Sequence, residues 1–220
     1  MSDARTAILA RLRAADTTGP LPPVDTAVLE RRHWEPAERV ERLRKGMEAA
    51  HAEFLDATEA TWPALIQGFC EGEGLKNLLF GPASEAGAAL AAAWPTGGTQ
   101  LMPYDRPVEA FKGELFRGVD AGFTGTVGGV AETGGLLLMP GPAEPRLLSL
   151  VPPIHIALLR ASAIQDTFWS AVKALGWGRA LPPNALMISG PSKTADIEQT
   201  LAYGVHGPKR LIVVLVDDLA

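Results

Sequence analysis

Glu132, Thr133 and Gly134 stand together in a glycine-dense stretch, GTVGGVAETGG. A carboxylate beside glycine can be approached closely, because glycine leaves the backbone uncovered. Such a group can act as nucleophile or general base, or it can be a solvated turn residue. His155 lies at the start of an apolar run, between Ile154 and Ile156. It reads either as a proton-transferring group or as a hydrogen-bonded core residue. Arg146 precedes it in a turn-rich loop, PGPAEPR, and could hold a carboxylate through two parallel N–H donors. Ser192, Thr194, Asp196 and Glu198 follow a Gly-Pro turn. At a helix N-terminus these hydroxyls and carboxylates are caps. At the carboxyl end of a parallel strand the same turn presents backbone N–H groups to a ligand. The two acids would repel a bare phosphate and suit hydroxyls, an amine or a metal-bridged ligand. Glu132 and His155 are thus the candidates for catalysis. Thr133, Gly134, Arg146, Ser192, Thr194, Asp196 and Glu198 are the candidates for ligand binding.

The elements that must position these residues read as α/β. Residues 185–188 form an apolar run, a helical pattern with Ile197 and Leu201 on one face follows, and 211–216 is a second apolar run. Strand, helix and strand in about thirty residues make a βαβ unit. Upstream, 77–81 and 99–104 read as strands around an alanine-rich helix at 82–94, and 107–116 stays open. Residues 117–139 suggest short extended segments joined by tight turns. A buried strand is expected at 154–159 and a helix at 163–176. The α/β body therefore spans about 76–220. Before it, 36–56 carries Val40, Leu43, Met47 and Phe54 at helical spacing, and 59–71 forms a second helix. These two are expected to form a helical layer over the sheet. Arg39, Arg42, Arg44 and Lys45, interleaved with glutamates, read as a solvated face. Residues 1–25 make a short amphipathic helix and a Pro/Gly linker, packing on the body or on a partner, and 26–220 make the main domain.

Composition narrows the function. The net charge of −5 disfavours nucleic acid and anionic membranes, which need a basic footprint. One cysteine, Cys70, cannot hold an iron–sulfur cluster, which usually takes four. No run reaches the roughly 20 apolar residues of a membrane span, and no signal-peptide core opens the chain. A soluble cytoplasmic protein is expected. HExxH, paired cysteines, GxSxG, GxGxxG and the P-loop are all absent. The histidines at 33, 51, 155 and 206 lack metal-ligand spacing, and His206 reads as a helix-capping residue. Neither a metal nor a cofactor is expected.

Two blocks carry a family resemblance. SGPSKTADIEQTLAYGVHGPKRLIVVLVD (189–217) and GFTGTVGGVAETGGLLLMPGPAEPRLLSLVPPIHIALL (122–159) resemble, in order and spacing, the LUD-domain family of the lactate-utilisation protein C type. The resemblance implies the three-layer α/β fold shared with glucosamine-phosphate and ribose-phosphate isomerases and CoA transferases. It also implies a subunit of a bacterial system that oxidises L-lactate to pyruvate, with iron–sulfur subunits as partners. The segment 126–129 departs from the commoner family form, which has a small residue, an acid and bulkier apolar residues there. Two other readings stay open. One is a stand-alone transferase or isomerase, since Glu132 is loosely similar to the glutamate-glycine site of CoA transferases. The other is a structural scaffold.

Overall fold

The computed structural model describes residues 2–15, 25–195 and 201–219. Residues 1–31 form one unit, with helix α1 (Ser2–Ala14) and a 3-10 turn at Ala27–Glu30. Residues 32–220 form the other. It opens with α2 (Pro36–Ala49), where proline takes the first position because its missing N–H costs nothing there. His51, in the left-handed region at φ 68°, ends that helix and turns the chain into β1 (Glu53–Ala57). Then come α3 (Trp62–Gly72), β2 (Asn77–Phe80), α4 (Glu85–Ala93), β3 (Gln100–Pro103), α5 (Val108–Arg117) and β4 (Ala121–Gly125). The glycine-dense stretch supplies β5 (Gly128–Val130) and β6 (Gly135–Leu138). A one-turn helix, α6 (Leu147–Leu150), precedes β7 (Ile154–Arg160). The chain closes with β8 (Ile164–Gln165), α7 (Phe168–Ala174), β9 (Leu186–Ile188), β10 (Lys193–Ala195), β11 (Leu201–Tyr203) and β12 (Arg210–Val216).

Six strands make one wholly parallel sheet in the order β1-β12-β7-β4-β2-β3. Its central strands are near-continuous apolar runs because both faces are covered. Alternation along β12 shows this directly. Ile212, Val214 and Val216 face a core with Trp62, Ile66 and Cys70 of α3. Leu211, Val213 and Leu215 face a core with Leu43 and Met47 of α2. The second core is closed by a four-stranded sheet in the order β8-β5-β6-β9, through Leu136 and Leu138. Burial, with the charge of Glu71 adding to it, pushes the Cys70 thiol up to about 12, so it serves as a small core residue.

Several expectations change. The βαβ unit at 185–217 does not form. β9 pairs antiparallel with β6 in the second sheet, and β10 pairs antiparallel with β11. The Ser192 N–H goes to the Pro208 carbonyl at 2.8 Å, and the Ser192 carbonyl accepts from the Gly204 N–H at 2.9 Å. Those bonds tie the two arms of the segment together, so Ser192 caps no helix. A short helical pattern is a weak signal against such pairing. The expected helix 36–56 stops at Ala49, and Phe54 belongs to β1, so the α/β body begins near residue 53 rather than 76. With that strand between them, α2 and α3 fall on opposite faces of the sheet and form no common layer. The open segment 107–116 is helical, and the helix expected at 163–176 is confined to Phe168–Ala174. Arg39 is not solvated: its Nε donates to Asp166, a 6 % exposed carboxylate, at 2.9 Å.

Candidate functional site

The site is built at the amino-terminal edge of the parallel sheet. His155 is the second residue of β7, in register with Gly122 of β4 and Leu211 of β12. Its side chain is 1 % exposed, and its Nε2 lies 2.8 Å from the Thr124 hydroxyl. Burial drives the imidazole down to about 3, so it stays neutral and works as a hydrogen-bonding group. Gly122 leaves room beside it: a Cβ there would sit 2.1 Å from the Leu148 carbonyl oxygen of α6. α6 can therefore lie directly on the sheet edge, bringing Ser149 and Leu150 to the histidine. The Ser149 hydroxyl, 2 % exposed, donates to the Arg146 carbonyl at 3.0 Å and so fixes the turn.

The far wall comes from the chain's last quarter. Ile188 and Gly190 lie at the end of β9, Ser192 before β10, and His206, Gly207 and Pro208 in the turn before β12. The Lys209 N–H donates to the Pro153 carbonyl at 2.7 Å, which locks that turn against the start of β7. The cavity between these walls is open on one side and has about 150 Å³. Its polar lining is Ser149, His155, Ser192 and His206, and its apolar lining is Leu150, Ile188, Pro208 and Leu211. The two sequence blocks, 122–159 and 189–217, thus meet around one small space.

Of the expected residues, this space unites His155 and Ser192. Thr194 sits in β10, opposite Ala202. Asp196 and Glu198 lie outside the described residues. Arg146 is exposed at the start of α6, and its backbone rather than its side chain holds Ser149. Glu132 and Thr133 occupy the β5–β6 turn and do not line the cavity. Glu132 is ion-paired with Arg32, and its N–H donates to the Asp166 carbonyl at 3.0 Å. Gly134, at φ +63°, packs on α2, where an added Cβ would meet Gly46 at 2.8 Å.

His206, Thr124 and Ser149 escaped the sequence reading. His206 was expected to cap a helix, but the described residues before it form β11. Its signal is its place between Val205 and Gly207-Pro208, a turn that exposes it. Thr124 and Ser149 had none, because their roles come from register and from a one-turn helix. Asp166 also escaped. It accepts from the Trp34 N–H at 2.9 Å, from Arg39, and lies 3.0 Å from His33 Nδ1. Among the described residues no group of three His, Cys, Asp or Glu side chains could hold a metal ion. No helix among them is long and apolar enough to cross a membrane.

An uncharacterized protein of Neisseria meningitidis serogroup B is 38 % identical over 220 residues, covering 97 % of this chain and 93 % of that protein. A protein named lactate utilization protein C of Deinococcus radiodurans is 35 % identical over 130 residues, covering 59 % of this chain and 60 % of its own length. The match thus spans less than two thirds of that relative. The uncharacterized protein YkgG of Escherichia coli is 35 % identical over 94 residues, 41 % of each chain. A crystal structure of a DUF162 family protein from Deinococcus radiodurans superposes with a TM-score of 0.64 at 23 % identity, covering 84 % of this chain and 99 % of that one. It shares the mixed α/β fold. The family model of the LUD domain matches residues 40–216, which include β1, the whole parallel sheet and both walls of the cavity, and the chain belongs to the LUD domain family.

Proposed function

We propose that this protein is a subunit of an L-lactate utilisation system, and that the cavity at His155 holds the small hydroxy acid or its keto product. Relatives named lactate utilization protein C support the role. The observation that carries the site is the convergence of both sequence blocks on a cavity of about 150 Å³. Sites for larger organic ligands run to roughly 300–1,000 Å³, so this space suits a molecule of a few carbons and not a phosphosugar or acyl-CoA. The Ser192 hydroxyl and the His206 ring can donate to a carboxylate, while neutral His155 faces a hydroxyl or carbonyl. The apolar residues Leu150, Ile188 and Leu211 suit a methyl group.

The chain's own part is non-redox in this reading. The single cysteine is buried in the α3 core, and a cluster usually needs four. Electrons from lactate would pass to iron–sulfur subunits of the same cytoplasmic system. Deleting the gene is expected to abolish growth on L-lactate as sole carbon source, with growth restored from a plasmid. Normal growth of the deletion strain would refute the proposal.

A further inference from the structure

A second cavity opens at the other edge of the parallel sheet, at the carboxyl ends of β2, β4 and β7. That is the edge where open α/β sheets receive ligands. It holds about 210 Å³. Glu144 forms its polar floor. The loop carrying it is closed by reciprocal backbone bonds between Gly141 and Glu144, each 3.2 Å. One carboxyl oxygen, Oε1, accepts from the Gly125 N–H at 2.9 Å. Leu158, Val127 and Ala163 form the apolar walls, and Met139 stands at the rim, 48 % exposed.

The charges around the space have one dominant sign. Arg160 is the cation lining it, and Glu59 already holds that guanidinium, with Nε 2.5 Å from Oε1. Glu85 lines the cavity from the first turn of α4. Asp218, fixed by the Ser162 N–H at 2.8 Å, adds a further negative charge beside Arg160. Against one neutralised guanidinium stand Glu85 in the lining and Asp218 behind Arg160, and Glu144 adds a third negative charge when ionised. An anion would meet repulsion here. A cation would meet an acidic floor and aliphatic walls.

We propose that this cavity binds a small aliphatic amine in its ammonium form, with Glu144 as the group that receives the ammonium. Burial holds the carboxyl above the usual carboxylate range, against the bonds from Gly125 and Ser84, and a cation seated beside it would favour the ionised form. The site is separate from the His155 cavity, so each reading stands or falls alone.

Calorimetric titration of the full chain with isobutylamine, isobutanol and isobutyrate tests it. Saturable binding of the amine alone is expected. Glu144→Gln is expected to weaken amine binding by at least about tenfold, since it removes the charge and keeps the shape. Met139→Trp, which crowds the rim and leaves the carboxyl in place, is expected to weaken it as well. It decides the matter should Glu144→Gln fail to fold. No saturable binding of isobutylamine, equal binding of isobutanol, or variants that bind like the wild type would overturn the proposal.

Discussion

Acidification below pH 6.5 is expected to remove about 1.4 kcal/mol of stability per pH unit through His155, and His155→Gln is expected to lack that slope. Burial holds the folded imidazole near 3, while the unfolded chain carries it at the ordinary 6.5. Between those values the unfolded state binds a proton that the native state refuses. Stability is therefore complete above pH 6.5 and falls as the pH drops toward 3, by about 5 kcal/mol in all. Glu144 acts in the opposite sense. Its carboxyl is raised by burial, so the native state binds that proton more readily and gains stability as pH falls. Asp218, lowered through its bonds to Ser162, adds to the acid loss. The difference between wild type and variant isolates His155. Urea melts of both proteins from pH 7 to about pH 4.5 provide the measurement. Parallel stability curves would show that His155 is not held neutral in the native state.

Gly122→Ala is expected to cost about 3 kcal/mol and to disturb the His155 cavity. The new methyl group would lie 2.1 Å from the Leu148 carbonyl oxygen and 3.0 Å from Pro152 Cγ. The first obstacle is backbone, which cannot swing aside as a side chain can. α6 must then lift from the sheet edge, taking Ser149 and Leu150 with it. Gly68→Ala in α3 is the matched control, because nothing lies within 4 Å of its added Cβ. There alanine is expected to be neutral or to stabilise the helix by up to about 1 kcal/mol. Thermal melts compare the two. Equal melting temperatures for Gly122→Ala and the wild type would contradict the close approach of α6.

The strands β2, β3, β7, β9 and β12 were legible because each is a short apolar run bounded by turn residues. β1 was hidden. Phe54 falls seven residues after Met47, so it extends the helical stripe, and only the left-handed backbone at His51 separates helix from strand. The hairpin of β10 and β11 was hidden for a related reason. Ile197 and Leu201 have helical spacing, while the bonds that decide the segment run from Ser192 to Gly204 and Pro208, across a distance in sequence that periodicity does not sense. The site was legible in its parts and not in its grouping. His155 and Ser192 were named from local chemistry, yet the register that sets Gly122 beside His155 brings α6 into place. Glu144 stood in a loop read for its turns and for Arg146. Its environment comes from Gly125, nineteen residues earlier in the chain.

On the proposed function, the cavity at His155, and not the Glu132 turn, serves lactate use. The most direct measurement is complementation of the deletion strain on L-lactate by His155→Gln, His206→Ala and Glu132→Ala, with soluble protein levels quantified. His206 is exposed, so its loss leaves the fold intact, and Glu132 lies outside the cavity. Growth is expected with Glu132→Ala and is expected to fail with His155→Gln and His206→Ala at wild-type protein levels. Full growth with both histidine variants, or loss of growth with Glu132→Ala alone, would contradict the assignment.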